Sequence, residues 1–230
     1  MVKIIGLIPA RKDSKRIPGK NMALLNGKPL LQYAIESATQ SAVFDEIVVS
    51  SDWDKCMILA ENLGVNFLRR PDKLCQDFSH DFEWVKHALD AYPGFDIFVI
   101  LRPTSPFRTG ETIKRAVQIF MTANCDSMRA VSMTTCHPRK SWVLDGKRMI
   151  PLMEDDTIGW IPAHDLPTQD LGHVYCQNGC IHVAKTSVIE EFGNVTGRTV
   201  APFFTRGHEG LDINTPEDLQ YAEWVMRGKP

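Results

Sequence analysis

Apolar residues along the chain switch repeatedly between two periods. Lys3–Ile8 (KIIGLI) is a continuous apolar run of the kind a buried strand carries. Leu30–Ser41 then places Leu30, Leu31, Ala34, Ile35 and Ala38 at helical spacing. Glu46–Ser50 predicts a second strand, Asp54–Leu63 a helix closed by Gly64 at the C′ position, and Val65–Leu68 a third strand. The alternation continues with a helix over Asp81–Tyr92, whose predicted face is Phe82, Val85, Leu89 and Tyr92. A strand over Asp96–Leu101 follows. Next come a helix capped by Thr109 with Ile113, Ala116, Val117 and Phe120 on one face, and a strand over Ser127–Met133. Thr215 reads as the N-cap of the last helix, with Pro216 first and acidic Glu217 and Asp218 in the opening turn. Strands alternating with helices predict an α/β fold with a mainly parallel central sheet and helices on both faces.

Between His137 and Val174 the alternation fails. The stretch is rich in Pro, Asp, Gly and Trp, and Trp142, Ile150, Leu152, Ile158, Trp160 and Ile161 call for burial. It is expected to be an irregular lid or dimerisation arm on a single domain spanning residues 1–230. No internal repeat or low-complexity segment is present.

Composition narrows the partners. At 43% hydrophobic and 23% charged, the 230-residue chain is of ordinary globular make-up. A formal net charge of −2 argues against a surface for coating nucleic acid. The start has too short an apolar run for a signal peptide, and no stretch approaches a membrane span, so a cytoplasmic protein is expected. Six scattered cysteines are expected to be reduced thiols. His173, Cys176, Cys180 and His182 have a spacing open to zinc, but no CxxC pair accompanies them.

The chemistry concentrates after the first strand. Pro9–Asn21 (PARKDSKRIPGKN) carries Arg11, Lys12, Lys15, Arg16 and Lys20, with Ser14 and the backbone amides as neutral donors. Ligands of open α/β sheets gather outside the carboxyl ends of the strands, and such a set of cations suits a triphosphate. Neither GxxxxGK[ST] nor GxGxxG is present, which argues against a P-loop hydrolase and a dinucleotide oxidoreductase.

This loop resembles the signature of the cytidylyltransferases that activate acylneuraminate and related sugars (the CMP-sialic acid synthetase family). Leu68-Arg69-Arg70-Pro71, Leu101–Arg108 (LRPTSPFR) and Gly210–Asn214 followed by Thr215 and Glu217-Asp218-Leu219 resemble three further segments of that family, in order. The resemblance implies a Rossmann-like nucleotide-diphospho-sugar transferase fold, Mg²⁺, and a homodimer. It implies transfer of CMP from CTP to the anomeric hydroxyl of a nonulosonic or related 3-deoxy-2-ulosonic acid. Arg11, Ser14, Lys15, Lys20 and Asn21 would then hold the CTP phosphates and ribose, and Arg70 with the segment from Asp77 to His80 would select cytosine. Arg11 and Lys20 would stabilise the leaving pyrophosphate, and Asp212, with Asn214 beside it, would hold the metal. The acceptor sugar would meet Arg102, Thr104, Ser105, Lys140, Gln177 and Asn178.

The chain departs from that pattern at several places. Asp13 stands where Gly or Asn is usual, Arg102 replaces a Gln, Asn214 replaces a second Asp, and His182 replaces a Tyr. Two arginines before Asn178 are missing, and Arg102 is the expected substitute as a contact for the sugar carboxylate. Two alternatives stay open. One is a related nucleotidyltransferase with another nucleotide and sugar, for which Arg102, Arg108 and Lys140 would make a phosphate cluster. The other is a non-catalytic nucleotide sensor.

Overall fold

The computed structural model describes residues 1–153, 157–158 and 161–228. Contacts divide the chain into two compact units, Met1–Ala130 with Asn178–Pro230, and Val131–Gln177.

The first unit is built on a seven-stranded sheet. Its strands are β1 (Ile4–Pro9), β2 (Glu46–Ser51), β3 (Asn66–Arg69), β4 (Ile97–Ile100), β5 (Ser127–Met133), β6 (Tyr175–Lys185) and β7 (Val200–Phe204), and they lie in the order β7-β5-β6-β4-β1-β2-β3. The boundary between the units falls within β5 and β6. β1 pairs in parallel with β2 and β4, and β2 with β3, whereas β6 runs antiparallel to β4. Among the described residues six α-helices accompany the sheet: α1 (Leu30–Ser41), α2 (Asp54–Asn62), α3 (Asp81–Ala91), α4 (Gly110–Thr122), α5 (Ser187–Phe192) and α6 (Pro216–Met226).

Side-chain alternation along the strands makes two apolar layers. Ile4, Ile8, Val49 and Val99 share one layer with Leu31, Ile35 and Ala38 of α1 and with Ile113, Ala116, Val117 and Phe120 of α4. Ile5, Leu7, Val48, Phe98 and Ile100 share the other with Trp84, Val85 and Ala88 of α3 and with Val188 and Ile189 of α5. Fully burying one Leu, Ile or Phe side chain stabilises by about 1.5–3 kcal/mol, so these layers dominate the stability of the unit. The α1–α4 approach depends on Gly110, where an added Cβ would lie 2.8 Å from the Ser41 nitrogen. Thr109 caps α4, its Oγ1 accepting from the Thr112 N–H at 3.1 Å. Thr215 does the same for α6, and Asp218 answers by accepting from the Thr215 and Asn214 amides, each at 2.8 Å.

Three elements escaped the periodic reading: β6, β7 and α5. The polar run Cys176-Gln177-Asn178-Gly179 hides the first half of β6, although Cys180–Ala184 is fully buried. On α3 the buried residues are Trp84, Val85 and Ala88, with Phe82, Leu89 and Tyr92 at the margin. All six cysteines are free.

The second unit contains an antiparallel hairpin, Trp142–Asp145 with Arg148–Pro151, and a short pairing of Thr157–Ile158 with Ile161–Pro162. Its small core is Ala163, Leu166 and Leu171, with Ile161 packed against it. The expected burial of Trp142, Ile150 and Leu152 is not seen: all three are exposed, along with Val143, Leu144, Met149 and Met153. A two-stranded hairpin has one face to cover and this unit's core is too small to cover it. Trp160 and the Ile158 side chain lie outside the described residues.

Candidate functional site

The carboxyl ends of β1, β3 and β4 feed the loops that, with Asp212 and Asn214, enclose a cleft of about 690 Å³, a volume suited to one nucleotide-sized ligand. Its rim is the segment after β1. Gly19 adopts a left-handed conformation (φ 62°) against the Trp53 ring and turns the chain into the 3-10 turn Lys20–Met22. Asn21 is buried and its Nδ2 donates to the Arg11 carbonyl at 2.8 Å, tying the two ends of the basic loop together.

The cations of this loop converge on the far end of the chain. Lys20 Nζ donates to the Ile213 carbonyl at 3.1 Å and reaches Asn214 Oδ1 at 3.4 Å; Arg16 donates to the same oxygen at 3.0 Å. Burial lowers the Lys20 ammonium from its ordinary range, with Arg16, Arg11 and Arg102 adding to the effect and Asp212 opposing it. Arg11 and Lys15 are engaged otherwise. Both grip Asp77, at 3.1 and 2.6 Å, and Arg11 also donates to the Cys75 carbonyl at 3.2 Å. Asp77 is thereby held ionised, its carboxyl lowered by Lys15 first and Arg11 second. Asp13 lines the cleft with no ion pair among the described residues.

One wall is built from buried polar groups. The Arg70 guanidinium donates to Ser50 Oγ at 3.0 Å and to the Ser50 carbonyl at 2.9 Å, and it lies 4.8 Å from the centroid of the Trp84 ring. Burial brings its pKa down to about 10, which leaves it charged at neutral pH. Trp84 Nε1 donates to Asp81 at 2.9 Å, and Asp81 pairs with Arg102. The lining also includes Thr104, whose carbonyl accepts from the Ile213 amide at 2.8 Å, and Asp212.

Asp212 is the residue a metal would use. Its Oδ2 accepts from Asn214 Nδ2 at 2.8 Å, whereas Oδ1 is buried without a partner. A carboxylate oxygen left over in a cleft of cations fits a hard divalent ion that keeps most of its waters. Asn214 offers less, since its oxygen already accepts from Arg16 and Lys20. Among the described residues no three His, Cys, Asp or Glu side chains converge as a metal-binding group, the His173–His182 set included.

Of the residues singled out from sequence, Arg11, Ser14, Lys15, Lys20, Asn21, Arg70, Asp77, Arg102, Thr104, Asp212 and Asn214 line this one cleft. Ser105 stands behind the wall, its buried Oγ unpartnered and close, like Asp212 Oδ1, to Gly179. His80 caps α3, its backbone N–H donating to Glu83 at 3.0 Å. The Asn178 amide is spent on Thr205 Oγ1 and the Cys180 N–H, both at 3.2 Å. Lys140 and Gln177 belong to the second unit. Arg108 is withdrawn from any phosphate cluster: it is 2% exposed and donates to the carbonyls of Arg102 and Cys180. Asp81 and Trp84 also line the cleft, and the face read for this helix from the sequence, Phe82, Val85, Leu89 and Tyr92, includes neither.

A family profile for cytidylyltransferases matches residues 5–140. The chain belongs to the cytidylyltransferase family. It is 35% identical over 98% of its length to the CMP-N,N′-diacetyllegionaminic acid synthase of Legionella pneumophila, covering 97% of that protein. It is 32% identical over 99% of its length to the N-acylneuraminate cytidylyltransferase of Escherichia coli O18:K1:H7, and spans 53%, about half, of that relative's length. A pseudaminic acid cytidylyltransferase of Campylobacter jejuni is 26% identical, with 98% of this chain and 97% of the relative covered. Among solved structures, a CMP:2-keto-3-deoxy-manno-octonic acid synthetase complexed with CTP superposes with a TM-score of 0.72 at 16% identity, covering 98% of each chain. That likeness identifies the fold as the cytidylyltransferase one, with its mostly parallel sheet.

Proposed function

We propose that this cytidylyltransferase transfers CMP from CTP to the anomeric hydroxyl of a nonulosonic acid and releases pyrophosphate. The observation that carries the reading is the convergence of Arg16 and Lys20, from the loop after β1, on the Asp212–Asn214 segment in a strand-end cleft. The names of the relatives supply the acceptor class, an acidic nine-carbon sugar.

In this reading Arg70 and the segment from Asp77 to His80 form the base end of the cleft, while Arg11, Ser14, Lys15, Lys20 and Asn21 take the phosphates and ribose. The acceptor oxygen attacks the α-phosphorus, the bond to the bridging oxygen of the β-phosphate breaks, and the hydroxyl proton leaves to solvent. Lys20 and Arg11 neutralise charge that grows on the departing pyrophosphate, a stabilisation realised mainly in the transition state. Asp212 would hold Mg²⁺, which when bound supplies positive charge at the phosphate oxygens. Asn214 keeps the Asp212 carboxylate aimed by its amide hydrogen bond.

The exposed apolar hairpin of the second unit supports a homodimer, and a net charge of −2 supports a partner other than nucleic acid. No described helix is long and apolar enough to cross a membrane, and a CTP-consuming reaction suits the cytoplasm. Pyrophosphate release from a matrix of CTP, UTP and GTP against 2-ulosonic acids tests the activity. The expected result is release with CTP and at least one nonulosonic acid. Absence of release with CTP across the panel, or preference for GTP, refutes it.

A further inference from the structure

Two buried oxygens beside the cleft lack the partner that each needs. Ser105 is 1% exposed, and its Oγ has no hydrogen bond among the described residues. Asp212 Oδ1 is buried and unpartnered as well, although Oδ2 of the same carboxylate accepts from Asn214. The two atoms come together at Gly179: a Cβ placed there would lie 3.0 Å from Asp212 Oδ1 and 3.2 Å from Ser105 Oγ. The adjoining backbone is tied in the same place, because the Ile213 amide donates to the Thr104 carbonyl at 2.8 Å. The turn that carries Ser105 is itself closed. Its amide donates to the Arg102 carbonyl and its carbonyl accepts from the Arg108 amide, both at 3.3 Å.

The two deficits are complementary. A serine hydroxyl has one proton to donate, and an ionised carboxylate can only accept. A buried donor or acceptor left unmatched costs the full desolvation of that group, and the cost is greater for a charge. Oδ1 and the Ser105 hydroxyl lie within reach of a direct hydrogen bond or of one bridging water, and pairing them removes both costs. Gly179 makes the approach possible, since any larger residue would set a carbon against both oxygens. With Asn214 on Oδ2 and Ser105 on Oδ1 the carboxylate is fixed at both ends, and it keeps lone pairs for a cation. Thr104 lines the cleft, whereas Ser105 does not, so the serine is placed to act on Asp212 and not on a ligand.

We propose that Ser105 is a positioning residue for Asp212, its hydroxyl donating to Oδ1 across the bare face of Gly179, and that it makes no contact with the acceptor. The inference deepens the CMP-transfer reading and rests on it for the cation that Asp212 would hold.

A double-mutant cycle in thermal unfolding, run with EDTA and no nucleotide, tests the pair. Ser105→Ala should lower the Tm by about 4 °C, since it leaves the carboxylate oxygen unmatched. The same substitution in an Asp212→Ala background should shift the Tm by less than about 1 °C. An unchanged or raised Tm in Ser105→Ala would show that the hydroxyl has no partner. An equal loss in both backgrounds would show that its partner is another group, and either result overturns the proposal. Pyrophosphate release reads the consequence for the chemistry. Ser105→Ala should raise the Mg²⁺ concentration for half-maximal rate about tenfold and leave the acceptor KM within about twofold. Gly179→Ala, at a position whose backbone is not left-handed, should raise the same Mg²⁺ requirement, which keeps the test decisive if Asp212→Ala does not fold. A raised acceptor KM with an unchanged Mg²⁺ requirement would make Ser105 an acceptor contact and overturn the proposal. If wild type turns over no acceptor, the CMP-transfer reading fails, and the unfolding cycle still decides the pair.

Discussion

Asp77 occupies two cations that the proposed function assigns to the triphosphate. Arg11 and Lys15 are both committed to its carboxylate, so under that proposal nucleotide phosphates must displace an internal anion before those side chains can serve them. Exposed ion pairs of this kind contribute little in salt, which makes the effect modest and measurable. Asp77→Asn should tighten CTP binding about threefold by calorimetry; weaker binding would mean that Asp77 supports the nucleotide instead of competing with it. Lys20 has a different role, because it is partly desolvated and aimed at the Asp212 segment. Lys20→Met should lower kcat about 10²–10³-fold with a smaller change in the Kd for CTP. A raised KM with unchanged kcat would reduce Lys20 to a ground-state contact. His182 tests the buried polar layer beneath the cleft. It is 5% exposed, and burial first and Arg129 second push its pKa from 6.5 to about 3. A neutral folded imidazole contributes its full share of stability above the unfolded value and loses it as the pH falls toward the folded one. Between about pH 7.5 and 5.5 the wild type should lose about 1.4 kcal/mol more than His182→Gln in urea unfolding. Parallel losses in the two proteins would place the imidazole in contact with solvent.

At the scale of elements, the loop after β4 is held from below. Arg108 spans from the Arg102 carbonyl at 3.1 Å to the Cys180 carbonyl at 2.7 Å on β6, joining the cleft wall to the antiparallel strand behind it. Its Nε and Nη2 have no hydrogen bond among the described residues, and burial lowers its pKa to about 10. Arg108→Met removes the donor and orphans two carbonyls, each worth about 1–3 kcal/mol when left buried and unpaired. Thermal unfolding should therefore show a loss of at least about 2 kcal/mol, with the acceptor KM raised through displacement of Arg102. Wild-type stability would show that water or rearrangement satisfies both carbonyls. The elements that sequence periodicity revealed are those with one buried face or a clean buried run: β1, β2, β4, α1 and α4. β6 was illegible because its first residues are polar and its buried half is short. The role of Trp84 was illegible for another reason, since its ring meets Arg70 and Asp81 only once the chain has folded.

For the whole molecule, the basic loop and Asp212 were readable from residue type and position after predicted strands. The partners that define their chemistry were not. Asp77 against Arg11, and Asp81 against Arg102, are contacts 66 and 21 residues apart whose pairing no spacing rule announces. The reading of Arg108 as a phosphate ligand failed because nothing in a sequence distinguishes a buried guanidinium from an exposed one. The proposed homodimer is testable on the second unit, whose Leu144 is 73% and Met149 58% exposed. Leu144→Glu with Met149→Glu should convert a dimer to a monomer by light scattering, since interface cores tolerate buried charge poorly. An unchanged mass would locate any dimer contact elsewhere.

Arg16 and Lys20 meet Asn214 and Ile213 across almost the full length of the chain. During synthesis at about 5–20 residues per second, the basic loop and its strand emerge early. The carboxylate of Asp212 and the helix that anchors it emerge later, with 198 positions separating Arg16 from Asn214. Over that interval a nascent chain holds a phosphate-attracting loop without the segment on which its cations converge. The cap on Thr215 and the hydrogen bond from the Ile213 amide to the Thr104 carbonyl, which hold that segment against the cleft, can form only after it has been made.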